Sequence, residues 1–306
     1  MDLSVIIVNW NTRRLLLKCL QAVFSTIDCP SYEVLVVDNG SVDGSCEAVQ
    51  EKFPQVTLIK NEENLGFAKA NNIALKQSKG RYAMLLNSDA FLTPGAAGEL
   101  VSFLDKTPNA ALACGQLLHA DGSLQNSFAV FPCVLSVVFN ESFLRIILPK
   151  SYQRRQDVLQ RPLKVDSCIG ACMVVRKGAL DHVGLLDESF FFFFEETDWA
   201  LRMRNAGWEI YFIPSARIYH CQGASAGTGI SSRIMYYESR YIYLRKWHGR
   251  LYYLMRLLIA FRLLIDACGS GLAVAFTLGL NPPIRDRFLR YVGLITWHLR
   301  GCRPLR

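Results

Sequence analysis

The sequence predicts an α/β protein built on a doubly wound, mostly parallel sheet, with a helical extension at its C-terminal end. Two observations carry this expectation. Short apolar, β-branched runs alternate with helix-period segments over the first ninety residues, the pattern of a parallel sheet with crossover helices. Three of those runs end in polar clusters, Asn9, Asp38-Asn39 and Asn87-Ser88-Asp89. In an open parallel sheet ligands bind outside the carboxyl ends of the strands, so the clusters should converge on one crevice.

Leu3–Val8 reads as a buried strand, and Arg13–Ser25 as a helix with Leu16, Leu20, Val23 and Phe24 at helical spacing. Tyr32–Val37 is the second strand. Asp43–Phe53 follows as a helix capped by Ser41 or Asp43. Val56–Lys60 is the third strand, and Gly66–Lys79 a helix stopped by Gly80. Arg81–Leu86 is the fourth strand and Ala96–Asp105 a helix. Ala111–Ala120 and Gly122–Val130 read as strands around an Asp121-Gly122 turn. Val165–Arg176 is a strand through the small residues Gly170-Ala171-Cys172. Five phenylalanines, Phe190–Phe194, lead into the acidic Glu195-Glu196-Thr197-Asp198 and a helix through Asn205. Glu209–Ile213 and Arg217–His220 are short strands, followed by a Gly/Ser-rich loop expected to move. From Tyr236 the chain is helical, aromatic and basic.

Composition narrows the function. The 306 residues are 51% apolar and 20% charged, which excludes a disordered, collagen-like or coiled-coil chain. The net charge of +8 is unevenly placed. Residues 233–306 hold 13 basic against 3 acidic side chains, so the tail carries +10 and residues 1–232 carry −2. The stretch 142–164 adds +5 locally, which leaves −7 for the rest of the body. Such a body is not built to grip nucleic acid. The ten cysteines include no C-x-x-C pair, and Cys19, Cys114, Cys133 and Cys268 lie among apolar neighbours, as expected of small buried hydrophobes in a reducing compartment. The opening MDLSVIIVNW lacks the basic n-region and cleavage site of a signal peptide and reads as a strand.

Four places can carry chemistry. Asp38, at the end of VLVVD, can accept hydrogen bonds from a ribose or a base, or can simply cap a turn. No G-x-G-x-x-G follows the first strand, against a dinucleotide fold. Asp89 ends AMLLNSD at the sheet's edge, where a divalent cation shared with substrate phosphates needs an oxygen ligand; a turn aspartate is the alternative. Glu195, Glu196 and Asp198 crowd behind the phenylalanines. Burial and like charge raise a carboxyl pKa towards the range of a general base, while acids also gather at helix N-termini for the dipole's sake. His220 ends a strand, and neutral imidazole suits Mn²⁺-class metals.

In this order, SVIIVNWNT, VVDNGSVDGS, NEENLGFAKANN, LLNSDAFL, IGACMVVRKGAL, LLDESFFFFFEETDWALRMRNAGW and IYHCQGAS resemble the inverting nucleotide-sugar glycosyltransferases of family 2, with the GT-A fold, and among them bacterial rhamnosyltransferase-like members. The likeness runs from about Asp2 to Gly249. It implies a catalytic domain over 1–232, with a nucleotide-binding half at 1–90 and a metal and acceptor half at 91–232, and a tail at 233–306. It implies that Asn9, Asp38, Asn64, Gly66, Asn87 and Ser88 bind the nucleotide, Gly66 by letting backbone pass close to it. The NSD triplet stands where the family carries a D-x-D-type motif, and Asn87 departs from it. Asp89 and His220 would hold a divalent metal, Mn²⁺ or Mg²⁺. Glu196 or its neighbour Glu195 would be the base, and Trp199 and Asp198 would meet the acceptor. The expected reaction is a single in-line displacement at the anomeric carbon, moving rhamnose or another hexose from a UDP- or dTDP-sugar to a hydroxyl of a lipid-linked or polysaccharide acceptor. A nucleotidyltransferase would want a Gly-rich basic loop for a triphosphate, which the early strand ends lack, and a non-catalytic glycan-binding scaffold would not need Asp89, Glu196 and His220 together.

In the tail, Leu257–Leu280 is long enough to suggest a membrane span, but Arg262 and Asp266 oppose it, each costing about 2.5–3.5 kcal/mol at a helix centre. Pro283–Arg300 has an apolar stripe beside Arg285, Arg287 and Arg290, the pattern of a helix lying on an anionic membrane surface. The expected location is the cytoplasm, at the inner face of the cell membrane.

Overall fold

The computed structural model describes residues 1–139, 141–148, 159–221, 223, 227 and 229–302. The first half runs β1 (Leu3–Asn9), α1 (Arg13–Thr26), β2 (Tyr32–Asn39), α2 (Ser45–Lys52), β3 (Thr57–Asn61), α3 (Phe67–Gln77), β4 (Tyr82–Asn87), β5 (Ala90–Leu92), α4 (Ala96–Lys106) and β6 (Ala110–Leu118). The middle contributes β7 (Phe128–Ala129), α5 (Val134–Val138), α6 (Glu141–Ile147), β8 (Leu163–Lys164), β9 (Ser167–Cys168), β10 (Cys172–Arg176), α7 (Lys177–Val183), α8 (Glu195–Asn205) and β11 (Glu209–His220). Three long helices close the chain: α9 (Ile230–His248), α10 (Leu251–Phe276) and α11 (Pro282–Leu299).

The described residues divide into two units, one of Met1–Phe131, Gln153–Phe191 and Glu195–Ser225, the other of Pro132–Tyr152, Phe192–Phe194 and Ala226–Arg306. The first unit holds a sheet in the order β3-β2-β1-β4-β10-β6-β11-β5, with β8 on β11. β3, β2, β1 and β4 are mutually parallel, β10 runs antiparallel to β4 and β6, and β11 is parallel to β6. Both faces are covered. Leu3, Val5 and Ile7 of β1 pack with Leu16 and Leu20 of α1 and Leu100 of α4, while Ile6 joins Ala68 and Leu75 of α3 and Met203 of α8. The period-2 alternation of a strand thus feeds two cores, and the run is apolar throughout because neither face meets water.

Three expectations are corrected. Gly122–Val130 is not a continuous strand. Only Phe128–Ala129 pairs, with β9, and Leu124 makes a single bridge to Leu118, because Gln125 turns its amide inward to carbonyls. Val165–Arg176 breaks into β9 and β10 at Gly170-Ala171. The two strands expected within 209–220 are one, β11, with a register shift between Ile213 and Arg217 where Pro214 offers no amide hydrogen to the ladder. Within the basic stretch 142–164, residues 149–158 lie outside the described residues, as do 222, 224–226 and 228 of the Gly/Ser-rich loop. All ten cysteines are free; Cys19, Cys29, Cys114, Cys168 and Cys172 are buried, whereas Cys268, expected inside, is exposed.

In the second unit α10 packs on α9, α11 and α5. Its buried stripe is Tyr252, Met255, Ile259, Leu263 and Ala267. Leu257, Phe261, Ile265, Leu272 and Phe276 face outward. By length and composition α10 is apolar enough to cross a membrane, with mean hydropathy 1.8 over its best window. Arg262 and Asp266 form an i,i+4 pair at 4.0 Å, and Arg262 also donates to the carbonyls of Val137 and Phe139.

Candidate active site

The carboxyl ends of β1, β2 and β4 meet, as the parallel register requires: Asn9 lies beside Asp38, and Val8 beside Asn87. A chain of hydrogen bonds ties them together. Asn9 Nδ2 donates to Asp38 Oδ1 at 2.8 Å and to Ser41 Oγ at 3.1 Å, and the Ser41 amide donates to Asp38 Oδ2 at 2.8 Å. Thr12 Oγ1 donates to Asn9 Oδ1 at 2.6 Å, which commits its one hydroxyl hydrogen. The Ser88 hydroxyl, 2.8 Å away, must therefore donate to Thr12. Asn9, Asp38 and Ser88 are buried. Asn87 is half-buried, and its amide donates to Ala171 O.

The next loop is organised by Asn39 and Asn64. Asn64 Oδ1 accepts from the Gly66 amide at 3.0 Å and from Asn39 Nδ2 at 3.2 Å. Gly66 has φ +80°, and a Cβ there would meet Phe191 O at 2.5 Å. Gly66 thus lets the phenylalanine run pass close to it, and the Phe191 carbonyl also accepts from the Phe67 amide at 2.7 Å.

Asp89 is positioned by an element the sequence did not disclose. β5 is three residues long and pairs antiparallel with β11, setting Ala90 against His220. The Cys221 amide then donates to Asp89 O at 3.0 Å, and His220 Nε2 comes within 3.5 Å of Asp89 Oδ1. Asp89 is 2% exposed, and its Oδ1 has no hydrogen-bond donor. Burial pushes the Asp89 carboxyl up to about 6 and the His220 imidazole down to about 4, so each loses charge where an ion pair would want it gained. One carboxylate oxygen and one imidazole nitrogen, bare and facing one another, make a donor set that a Mn²⁺-class cation fits. Among the described residues no group of three or more His, Cys, Asp or Glu surrounds a possible metal position, so further ligands would come from water or a bound phosphate. Gln125, missed in the sequence, lies 3.1 Å from His220 Nδ1 through its Oε1.

The second pair of acids opens α8. Phe193 and Phe194 have φ +73° and +69°, a conformation bulky residues rarely adopt, immediately before Glu195. The two carboxyls are close enough to share a hydrogen bond. Glu195 is buried and its Oε2 has no donor; burial, then the neighbouring Glu196, holds its pKa well above the usual carboxylate range. Glu196 is partly exposed and accepts from Thr197 Oγ1 at 3.3 Å, and desolvation pushes it up to about 7. Gly170 stands beside it, with Glu196 Cγ 4.0 Å from where a Cβ would lie. Burial thus favours the protonated form of Glu195, and Glu196, partly exposed, is the better placed of the pair to release and take a proton near neutrality.

Trp199 and Asp198, expected at the acceptor, both turn inward. Trp199 is fully buried, its indole donating to Gly184 O at 2.9 Å. Asp198 is equally buried and paired with Arg202 Nε at 2.9 Å, while Arg202 also donates to Val183 O and Leu185 O. Helical spacing turns both residues to the inner face of α8, where they anchor it to the preceding segment.

The model of glycosyl transferase family 2 matches residues 4–184, which include the strand ends and Asp89. The chain belongs to that family. It is 30% identical over 234 residues to an N-acetylglucosaminyl-diphospho-decaprenol L-rhamnosyltransferase of Mycobacterium tuberculosis, a match covering 71% of this chain and 75% of the relative. It is 25% identical over 225 residues to a dTDP-rhamnosyl transferase of Shigella flexneri, covering 72% and 70%. Among solved structures it resembles a mannosyltransferase from Pyrobaculum calidifontis in complex with GDP-Man and Mn²⁺, with a TM-score of 0.57 at 16% identity over 98% of this chain and 86% of that one. That likeness bears on the fold, which is of the GT-A type. As a family 2 glycosyltransferase the chain is a nucleotide-sugar enzyme of glycan synthesis, as the ordered motifs lead one to expect.

Proposed function

We propose that this glycosyltransferase moves a hexose or deoxyhexose, with L-rhamnose the first to test, from a UDP- or dTDP-sugar to a hydroxyl of a lipid-linked or polysaccharide acceptor, with inversion. The observation that carries the reading is the convergence of Asp89 Oδ1 and His220 Nε2 with no donor between them. Asp89 and His220 would hold Mn²⁺ or Mg²⁺, and the bound ion would offset charge building on the leaving diphosphate. Asn9, Asp38, Asn64, Asn87 and Ser88 lie where the strand ends would receive the nucleotide. Glu196 takes the proton from the acceptor hydroxyl as that oxygen attacks the anomeric carbon, and the bond to the diphosphate breaks on the opposite side. The carboxyl of Glu195 beside it favours the charged form of Glu196.

The tail supports work at a cytoplasmic membrane surface. α10 turns Leu257, Phe261, Ile265, Leu272 and Phe276 outward, and Arg285 and Arg287 on α11 are exposed. An apolar stripe with nearby cations suits the surface of an anionic bilayer. The M. tuberculosis relative is named for a decaprenol-linked acceptor, which is consistent with such a site.

The test is a panel of nucleotide-diphosphate sugars with Mn²⁺, read by release of the nucleoside diphosphate, with a prenyl-diphosphate-linked amino sugar as acceptor. Acceptor-dependent release from a dTDP- or UDP-sugar is expected. No release from any donor in the panel would overturn the reading. Washing membranes with high salt tests the tail: release is the outcome for surface attachment, and retention the outcome for a span.

A further inference from the structure

We infer that Gln125 is a positioning residue that holds His220 in the Nδ1–H tautomer, so that Nε2 presents a bare lone pair towards Asp89. For the cation this rests on the function proposed above; for the tautomer it rests only on the hydrogen bonds.

The orientation of the Gln125 amide decides the tautomer. Its Nε2 is within reach of three acceptors: His220 O at 2.6 Å, Leu118 O at 3.2 Å and His119 Nδ1 at 3.0 Å. Two are carbonyls, which only accept, so the donating nitrogen of the amide must be on that side. A flipped amide would press Oε1 against a carbonyl oxygen at hydrogen-bond distance. With Nε2 so placed, Oε1 faces His220 Nδ1 at 3.1 Å. An amide oxygen accepts and cannot donate, so Nδ1 must carry the hydrogen. In neutral imidazole the other nitrogen is then unprotonated, and it is this Nε2 that lies 3.5 Å from Asp89 Oδ1. The same side chain thus grips His220 twice, at its backbone carbonyl and at its ring.

Gln125 is itself held. It is 4% exposed. Its amide nitrogen donates to Leu117 O at 2.8 Å, and its carbonyl accepts from Gln116 Nε2 at 3.0 Å. Gln116 lies on β6, next to β11 in the sheet, so the ring of His220 is braced from a neighbouring strand. Gln125 follows the Asp121-Gly122 turn, within the stretch expected to be a strand, and its inward amide goes with the loop observed there. An imidazole ligand generally has its second nitrogen fixed in this manner, and loss of such a partner lowers metal affinity.

The test uses the full chain. Long-range ¹H–¹⁵N correlation spectra of the metal-free protein report the tautomer of each histidine, and His220 is assigned by loss of its signals in His220→Gln. Mn²⁺ binding is measured by electron paramagnetic resonance with dTDP and with UDP present. The wild-type His220 is expected as Nδ1–H. Gln125→Leu removes the acceptor: His220 should shift towards Nε2–H, and Mn²⁺ affinity should fall about 10–100-fold. An Nε2–H tautomer in the wild type overturns the inference outright, whether or not any variant folds. An unchanged tautomer and unchanged Mn²⁺ affinity in Gln125→Leu overturns it as well. Wild-type protein that shows the Nδ1–H tautomer but binds no Mn²⁺ would sink the metal reading and leave the tautomer standing.

Discussion

Two polar regions lie in the same unit and are built on opposite principles. At the ends of β1, β2 and β4, Asn9, Thr12, Asp38, Ser41 and Ser88 bond to one another, and both oxygens of Asp38 have donors. At Asp89 and Glu195, buried carboxyl oxygens have none. Burial of an unpaired polar group is costly and native structures seldom tolerate it without reason. The first region reads as a finished scaffold that presents a surface, and the second as sites held open for something that binds or reacts. Glu196 breaks this comparison most sharply. Glu196→Gln should leave donor binding intact and lower transfer about 10³-fold, as loss of a general base does. The base must be unprotonated, so wild-type kcat/KM should rise with pH through about 7 and then level. Glu195→Leu removes the donor that favours the charged form of Glu196, so the same limb should move to higher pH. Full transfer by Glu196→Gln would remove it from the chemistry.

Asp89 comes next in expected effect. Asp89→Asn should abolish the part of nucleoside-diphosphate affinity that depends on Mn²⁺ and lower transfer about 10²-fold or more. It should also stabilise the metal-free protein. The sign follows from linkage. A carboxyl raised to about 6 in the folded state favours folding fully only below its unfolded value near 3.8, and that contribution is lost as pH rises through about 6. At pH 7.5 the charged, buried Asp89 therefore works against the fold. An amide of the same shape removes a penalty of about 2–3 kcal/mol, visible as a higher melting temperature. Equal melting of the two proteins without metal would show that the site is less strained than its bare oxygen implies.

How much of this was legible beforehand differs between the same two regions. The parallel strands, their polar ends and the meeting of Asn9, Asp38 and Asn87 follow from alternation and from the geometry of a doubly wound sheet, and they stand where expected. The neighbourhood of Asp89 was legible only through resemblance. β5 is too short for any periodicity, and the register that puts Ala90 opposite His220 joins residues distant in the chain. Gln125 carried no signal, since a single amide in a polar stretch can face either way. Trp199 and Asp198 look functional in sequence as an aromatic and an acid beside a proposed base, and only the packed structure shows them turned into the core. The phenylalanine run gave composition without conformation: Gly66 is required by the Phe191 carbonyl, and that contact crosses elements. Gly66→Ala would place a Cβ 2.5 Å from that oxygen at φ +80°, and should lower stability by about 3 kcal/mol in denaturant unfolding.

The smallest expected effect tests the scaffold itself. Thr12→Val keeps shape and removes one hydroxyl from the middle of the network. Asn9 Oδ1 loses the hydrogen at 2.6 Å in a site with no exposure, and the buried Ser88 hydroxyl loses the oxygen it donates to. The loss should be about 2 kcal/mol of stability, the cost of leaving these buried polar groups without their partner. Asp38 keeps both of its donors in this variant, and none of the residues proposed to hold the nucleotide is replaced. Donor KM and transfer rate should therefore stay near wild type. A large rise in donor KM without loss of stability would mean that Thr12 itself touches the nucleotide, joining Asn9, Asp38 and Ser88 in the binding surface.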